Sequence, residues 1–439
     1  MGIKDTIDFL FSLQWRGMKV GLENMTRLME FLGNPHRCFP SIHIAGTNGK
    51  GSTAAILSSI LQAQGIRVGL YTSPHLVDFN ERIRVNHNLI QDEDLVLLTH
   101  EIQNVLSQHP PHISNQQNPV LPTFFEFTTA MAFLHFAREG VEMAVVEVGM
   151  GGRFDATNLL IPEVSVITQI DRDHCQHLGY QLEQIAFEKA GIIKPMVPVV
   201  TSETKEGPLG VIRSRALEEK APLTCVNETV QVRGEDPGCF SYRGPVFSLD
   251  DLSCSLKGAH QVQNAATALA VLEILSQKGY HLETEKVLLG LKQVKWEGRL
   301  QIVEEDPLII LDGAHNPAAA FVLSRALREI RIGRQRVILV IGMLKDKDFP
   351  GFFNEIIPLA DEVILTRPDY ERAASVSQLE VAVESYHVPY HCIQRVSDAM
   401  GLARSHAFPQ DLICVTGSLY TVGEVKAHLE GKVPSLLKG

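Results

Sequence analysis

The stretch "GTNGKGST", Gly46, Thr47, Asn48, Gly49, Lys50, Gly51, Ser52 and Thr53, combines what a phosphate group needs: pliable backbone, a cation and hydroxyls. It follows the apolar run "SIHIA" and opens the helical pattern "KGSTAAILSSILQAQ", so backbone N–H groups and the positive end of a helix dipole converge on one spot. Gly46 and Gly49 let phosphate oxygens approach, Lys50 offers a mobile charge, and Ser52 or Thr53 can reach Mg²⁺. The spelling is unusual: the common loop reads G-x-x-x-x-G-K-[ST], whereas here Gly51 stands between Lys50 and Ser52. A turn that uses glycine for geometry alone leaves the lysine and both hydroxyls unexplained.

Two further groups could share that chemistry. Glu147 closes the apolar run "MAVVE", which puts a carboxylate at the carboxyl edge of a sheet, where open α/β folds bind ligands. Buried there, it needs a metal, a cation or a hydrogen-bond donor opposite, and a structural salt bridge would serve as well. The segment "ITQIDRDHCQHLG" places Asp171, Asp173, His174 and His177 just past the next apolar run. Alone, these are ordinary loop residues or a hydrolase-type metal cluster; beside Glu147, His174 could share a cation held mainly by oxygen ligands.

The elements that must position these groups show in the pattern. Apolar runs alternate with helical stretches, as in "SIHIAG", "MAVVEVG" and "VSVITQI", the rhythm of a mostly parallel sheet with covering helices. Between 225 and 257 the texture breaks into short strand-like pieces, "TVQVRGEDPGCFSYRGPVFSL", an expected antiparallel excursion, before the helix "NAATALAVLEILSQKG". Strand-helix alternation restarts with "PLIILDG", "RVILVIG", "DEVILTRP" and "DLICVTGS". The expectation is an α/β protein: a P-loop, mostly parallel domain over 1–298, and a smaller Rossmann-like α/β domain over 299–439.

At 439 residues the chain suits two or three domains, and a hydrophobic fraction of 45% with 21% charged residues is ordinary for a soluble protein. No run of 18 apolar residues can cross a bilayer. "MGIKDTIDFLFSLQ" reads as an amphipathic helix, and its match through Gly2 and Thr6 to a loose myristoylation pattern reads as coincidence. A net charge of -11 without a basic stripe argues against nucleic-acid and anionic-membrane partners. The 7 scattered cysteines contain no Cys-x-x-Cys pair, which favours a reducing, cytoplasmic setting over a disulfide framework or zinc ribbon.

The ordered set "GMKVGLENMTRLMEFLGNP", "HIAGTNGKGST", "YTSPHLVDFNERIRVN", "FFEFTTAMAFLHF", "VVEVGMGGRFDATN", "DHCQHLG", "AFEKAGIIKP", "GAHQVQNAATAL", "WEGRLQ" and "LDGAHNP" resembles the folylpolyglutamate synthase and dihydrofolate synthase family, relatives of the Mur ligases. The resemblance spans nearly the whole chain. It implies an ATP- and Mg²⁺-dependent ligase in which a dihydropteroate or reduced-folate carboxylate takes the γ-phosphate of ATP, and the acyl phosphate is trapped by the amine of L-glutamate.

Residue by residue, the resemblance implies that Lys50 and the glycine loop hold the β and γ phosphates, and that Ser52, Ser73, Glu147 and His174 hold Mg²⁺. Lys189 in "FEKAGI" matches a lysine that the family carries as a carbamate. Asn264 matches an adenine-side asparagine, Arg299 and Asp312 match residues reaching phosphate and ribose, and His315 and Asn316 lie beside them. By themselves, Asn264 could cap its helix and Arg299 could form a linker salt bridge. For the pterin, Phe79, Arg82, Arg84, Phe124, Phe125 and Asp155 are the candidate contacts, although a phenylalanine stripe at helical spacing is also what a core looks like. Arg172 and Cys175 depart from the usual surroundings of His174, which bears on substrate preference more than on the metal.

The leading expectation is a monomeric enzyme with both ligase activities. Alternatives are a monofunctional folylpolyglutamate synthase, a Mur-type ligase on a UDP-linked peptide (disfavoured because no extra N-terminal UDP-binding domain is evident), a P-loop kinase or phosphohydrolase, and a non-catalytic nucleotide-binding module.

Overall fold

Eight strands form the larger sheet, in the order Asn88–Leu89, Ile83–Val85, Val68–Tyr71, Met143–Glu147, Ser41–Ala45, Val164–Ile167, Val199–Thr201 and Leu223–Cys225. The six from Val68–Tyr71 onward run parallel, and the first two add an antiparallel edge. This computed structural model describes residues 2–17, 21–109 and 120–432; Met18, Lys19 and Val20 of the "GMKVGLENM" stretch lie outside the described residues. The central strands are buried along their whole length, as near-continuous apolar runs require when helices cover both faces.

One face carries helix Lys50–Ala63, packed against helices His260–Gln277 and Thr284–Gln293. Ile56, Leu57, Ile60 and Leu61 are fully buried there, each contributing about 1.5–3 kcal/mol by leaving water. The other face carries helices Ile3–Ser12, Glu23–Phe31 and Phe124–Arg138. The first of these is the amphipathic helix expected from "MGIKDTIDFLFSLQ". Helix Phe124–Arg138 starts where it does because Thr123 and Glu126 form a capping box: Glu126 N–H donates to Thr123 Oγ1 at 3.3 Å, and Thr123 N–H donates to Glu126 Oε2 at 2.7 Å. Asn24 Nδ2 also donates to Glu126 Oε2, at 2.8 Å, which ties a second helix to that start. Phe124 and Phe125 are thereby fixed at the mouth of the sheet.

The expected antiparallel excursion is a three-stranded sheet of Gln231–Asp236, Cys239–Arg243 and Ser248–Leu252. Phe240 and Tyr242 point inward by alternation, Leu249 and Leu252 reach the same side across a register shift, and all four join the core under helix His260–Gln277.

The C-terminal sheet has six strands, ordered Gln301–Glu305, Leu308–Leu311, Leu412–Thr416, Val337–Ile341, Glu362–Arg367 and Tyr390–Arg395. Only the first pair is antiparallel. The carboxyl ends of both large sheets border the same space, so loops from the two sheets meet across one cleft.

Candidate active site

The cleft contains two chambers. The polar one, about 570 Å³, is lined by the loop 47–52 together with Glu147, Asp171, His174, Asn264, Arg299, Asp312 and His315. Gly46 (φ 147°) and Gly49 (φ 91°) hold conformations that side chains rarely adopt. A Cβ at Gly46 would meet Thr168 Oγ1 at 1.8 Å, and one at Gly49 would meet Asn264 Oδ1 at 2.6 Å. The loop is pinned from behind: Thr47 N–H donates to Gln169 O at 2.8 Å and Thr47 Oγ1 donates to Asp171 O at 3.0 Å.

Lys50 begins the helix, with Nζ donating to Thr47 O at 3.1 Å and lying 4.0 Å from Glu147 Oε1. Across the cleft, the amides of Asn48 and Asn316 exchange hydrogen bonds of 3.4 and 3.1 Å, joining the loop to "DGAHNP". Asn264 lies inside helix His260–Gln277 and donates to Gln261 Oε1 at 2.9 Å, so it does not cap that helix. Asp312 accepts from Leu300 N–H and Ala314 N–H, both at 2.9 Å.

Gly51 has a separate reason. A Cβ there would meet the indole of Trp296 at 3.0 Å, because Trp296 lies against the first turn of the helix, and the Arg84 guanidinium sits over the same ring, 5.4 Å from its centre. The odd glycine makes room for the segment that joins the two large sheets.

Ser52, Ser73, Glu147 and His174, the expected metal positions, all border the polar chamber. Burial raises the Glu147 carboxyl, opposed by Lys50, by Ser73 N–H at 3.2 Å, and by Arg299 and Arg82. A divalent cation would relieve that cost. Burial also lowers His174 to about 4, leaving a neutral imidazole with a lone pair to give. Three oxygen donors and one imidazole fit Mg²⁺ or Mn²⁺. Thr53 is different: it is fully buried inside the helix, away from the chamber.

Lys189 lies behind the loop, buried, with Nζ donating to Gly46 O at 2.7 Å. Burial, reinforced by the charge of Lys50, lowers its amine to about 7. Of the Asp-His segment, Asp171 pairs with Lys205 at 3.2 Å and His177 is exposed outside both chambers. Asp173 accepts from Lys347 Nζ at 2.5 Å and from His315 Nε2 at 3.2 Å. Burial alone would raise its carboxyl, but His315, His174 and Lys347 together hold it well below the usual range.

The second chamber, about 380 Å³, is mostly apolar and is lined by Phe124, Phe125, Asp155, Arg82, Leu344 and Tyr420 among others. Phe125 closes on Gly149, where an added Cβ would lie 2.5 Å from its ring. Asp155 accepts from Met150 N–H and Thr157 N–H, both at 3.0 Å, and from the Thr157 hydroxyl; burial raises its carboxyl. His43 Nε2 stands 2.8 Å from that same hydroxyl, while its Nδ1 has no partner. Because the hydroxyl proton points to Asp155, the imidazole must donate from Nε2, which makes a chain His43–Thr157–Asp155 under the chamber floor.

Three expected pterin contacts are arranged differently from the sequence reading. Phe79 is buried and packs on Phe11, His75 and Phe124, so it supports the wall from behind and does not face the chamber. Arg84 faces a separate small space beside Trp296 and Glu297. Arg82 does border the chamber, yet its Nε is spent on His75 Nδ1 at 2.8 Å. Lys347 and Tyr420, which the sequence reading did not single out, both border it; each follows a strand end of the C-terminal sheet, the one signal that could have found them. The two chambers meet at Ser73, Pro74, Gly149, His174, His315 and Leu419.

This two-sheet architecture, with a phosphate-type loop in the first sheet and a closing α/β domain, is that of a Mur-type ligase. The Mur ligase middle domain matches residues 44–272, and the Mur ligase, glutamate ligase domain matches residues 298–419. Dihydrofolate synthase/folylpolyglutamate synthase of Bacillus subtilis is 36% identical over 425 residues, 94% of this chain and 96% of that protein. Among solved structures, Escherichia coli FolC in complex with DHPP and ADP superposes with a TM-score of 0.88 at 30% identity, covering 98% of each chain. The bifunctional folylpolyglutamate synthase/dihydrofolate synthase of Yersinia pestis, complexed with AMPPNP and an Mn ion, gives 0.86 at 32% identity, again over 98% of each chain. The chain belongs to the dihydrofolate synthase/folylpolyglutamate synthase family.

Proposed function

We infer that this protein uses ATP to activate the carboxylate of dihydropteroate or a reduced folate and joins it to L-glutamate, performing both reactions of its family. The observation that carries this reading is the shared wall: a phosphate-type chamber and an apolar chamber are both lined by Ser73, His174 and His315. A carboxylate presented from one side meets a terminal phosphate presented from the other.

In this reading Lys50 and the loop N–H groups hold the β and γ phosphates, with Asn264, Arg299 and Asp312 on the adenosine side. Ser52, Ser73, Glu147 and His174 hold Mg²⁺, which neutralises charge on the transferring phosphoryl group. Phe124, Phe125 and Asp155 receive the pterin, its flat ring against aromatic faces and its ring nitrogens toward a carboxylate. The acceptor carboxylate oxygen forms a bond to the γ-phosphorus as the bond to the β-phosphate oxygen breaks and ADP leaves. The glutamate amine then forms the amide, the carbon–oxygen bond to phosphate breaks, and phosphate departs. His315, paired with Asp173 beside Lys347 on the wall common to the two chambers, is in this reading the group that assists the amine. Alignment of these reactants is the main contribution the protein makes.

Lys189 supports the carbamate reading: an amine at about 7 is half neutral near neutrality, and a neutral amine adds CO₂ to give a carbamate and one proton. Residues 1–298 carry the loop and acceptor chamber, 299–439 close over ATP and glutamate, and one chain supplies every residue named, so a monomer suffices. The test is a panel in which ATP, Mg²⁺ and L-glutamate are held constant while dihydropteroate and tetrahydrofolate are offered separately. Glutamate-dependent phosphate release with both is expected; release with neither overturns the reading, and release with tetrahydrofolate alone reduces it to one activity.

A further inference from the structure

At the amino edge of the C-terminal sheet, opposite the cleft, three side chains converge that the ligase reaction does not use. Glu362 opens strand Glu362–Arg367, and His391 lies on the neighbouring strand Tyr390–Arg395. The register pairs Ile364 with His391, so Glu362, Ile364 and His391 share one face of the sheet. Helix Val396–His406 covers that face with the stripe Val396, Ala399, Met400 and Ala403. Three residues further along the stripe, at the helix end, stands His406. The same periodicities that build the core therefore deliver a carboxylate and two imidazoles to its rim.

The ligand atoms of Glu362, His391 and His406 all lie within 4.8 Å of one another. His406 Nδ1 is 2.6 Å and His391 Nε2 is 3.3 Å from the same oxygen, Glu362 Oε1. The other oxygen, Oε2, is held by Arg336 Nη2 at 2.6 Å, and Arg336 Nη1 also donates to the His406 carbonyl at 3.3 Å. Arg336 is itself balanced by Asp411, whose Oδ2 lies 4.0 Å from Nη1 and whose Oδ1 accepts the Arg336 backbone N–H at 3.1 Å. Glu362 is buried, while the two imidazole side chains are 43% and 35% exposed, so an ion has a fixed anchor and an open path.

We propose that Glu362, His391 and His406 form a surface site for a first-row transition-metal dication of the Zn²⁺ or Co²⁺ class, separate from the Mg²⁺ site of the cleft. Two imidazole nitrogens and one carboxylate oxygen are the donor set of an open zinc site, with solvent completing the tetrahedron, and they disfavour Mg²⁺. Bonds of about 2.0–2.1 Å place tetrahedral ligands about 3.3 Å apart. The His391–Glu362 spacing of 3.3 Å already has this value, and the His406 contact of 2.6 Å would lengthen when an ion enters. Arg336 acts as the outer partner that orients the ligating carboxylate.

The experiment uses the full chain, free of any histidine tag and stripped of metal, with Mg²⁺ and a non-hydrolysable ATP analogue saturating the cleft. Titration with Co²⁺ is expected to give one equivalent of the intense visible absorption of low-coordinate Co²⁺, displaced by Zn²⁺. His391→Ala and His406→Ala should each weaken that binding at least tenfold, His428→Ala at another exposed histidine should not, and ligase activity of His391→Ala with Mg²⁺ and ATP should match the parent. His391→Gln, scored by the same titration after its thermal unfolding is shown to match the parent, guards against a folding defect. Absence of the Co²⁺ spectrum in the parent, or its survival in both alanine variants, overturns the site and leaves a proton-bridged Glu-His cluster.

Discussion

The two chambers of the cleft share a wall but are specified by the chain in opposite ways. The polar chamber takes its chemistry from contiguous stretches at strand ends: the loop after Ser41–Ala45, Glu147 at the close of Met143–Glu147, and His174 shortly after Val164–Ile167. The apolar chamber is assembled from Arg82, the first turn of Phe124–Arg138, the 149–156 loop, and Leu344 and Tyr420 from the other sheet. Charge at a strand end is placed by local geometry, whereas an apolar wall exists only once distant segments have packed. Burial shifts ionisation in both, at Glu147 and Asp171 in the first and at Asp155 in the second, but the second is otherwise defined by shape.

If this division holds, perturbations should sort by chamber. The largest effect belongs to Lys50→Ala, expected to lower kcat/KM by about a thousandfold or more because the transferring phosphoryl loses its fixed cation. Glutamate-dependent ADP release measures it, and near-parental turnover would remove Lys50 from the chemistry. Next comes Lys189→Ala, expected to cost about a hundredfold, in the range of an outer group that orients a metal and its ligands. In the parent the Lys189 amine is lowered to about 7, so its neutral form grows as pH rises through 7. Carbamate formation and activity at fixed dissolved CO₂ should therefore rise from pH 6 to 8; a ¹³C-bicarbonate NMR signal absent from Lys189→Ala checks this, and its absence from the parent would end the carbamate reading.

Phe125→Ala addresses the other chamber and should raise the acceptor KM about tenfold, the worth of one aromatic face, while leaving the KM for ATP unchanged. Equal rises in both would break the division. Beneath that chamber, burial lowers His43 from 6.5 to about 3. Its folded value lies below its unfolded value, so the unfolded chain binds the extra proton between those limits and stability falls as pH drops from 6.5 toward 3. At pH 5 the loss is on the order of 2 kcal/mol. The urea midpoint against pH should show it, and His43→Gln should flatten that part of the curve. Gly51→Ala should be mildest: the Trp296 indole need shift only a few tenths of an ångström, and activity should fall severalfold at most.

The contrast also explains what could be read from the residues alone. The parallel sheets, the antiparallel excursion and the strand-end position of Glu147 follow from runs and alternations that survive folding unchanged. The phenylalanines do not declare themselves: Phe127, Phe133 and Phe136 are core, Phe79 is core, and Phe124 and Phe125 reach the chamber only because the capping box halts the helix at its mouth. Asp173 was visible as a loop carboxylate, but its tie to Lys347 and His315 depends on a second sheet arriving across the cleft. No pattern within either segment encodes that meeting.

Gly51 carries one more consequence. Its missing side chain is occupied by Trp296, a residue of the stretch between helix Thr284–Gln293 and strand Gln301–Glu305. The loop and the joint are therefore cut to fit each other. Transplanting a generic phosphate loop, which puts Ser or Thr at that place, would press first on the connector, and the tryptophan is the residue that would have to give way.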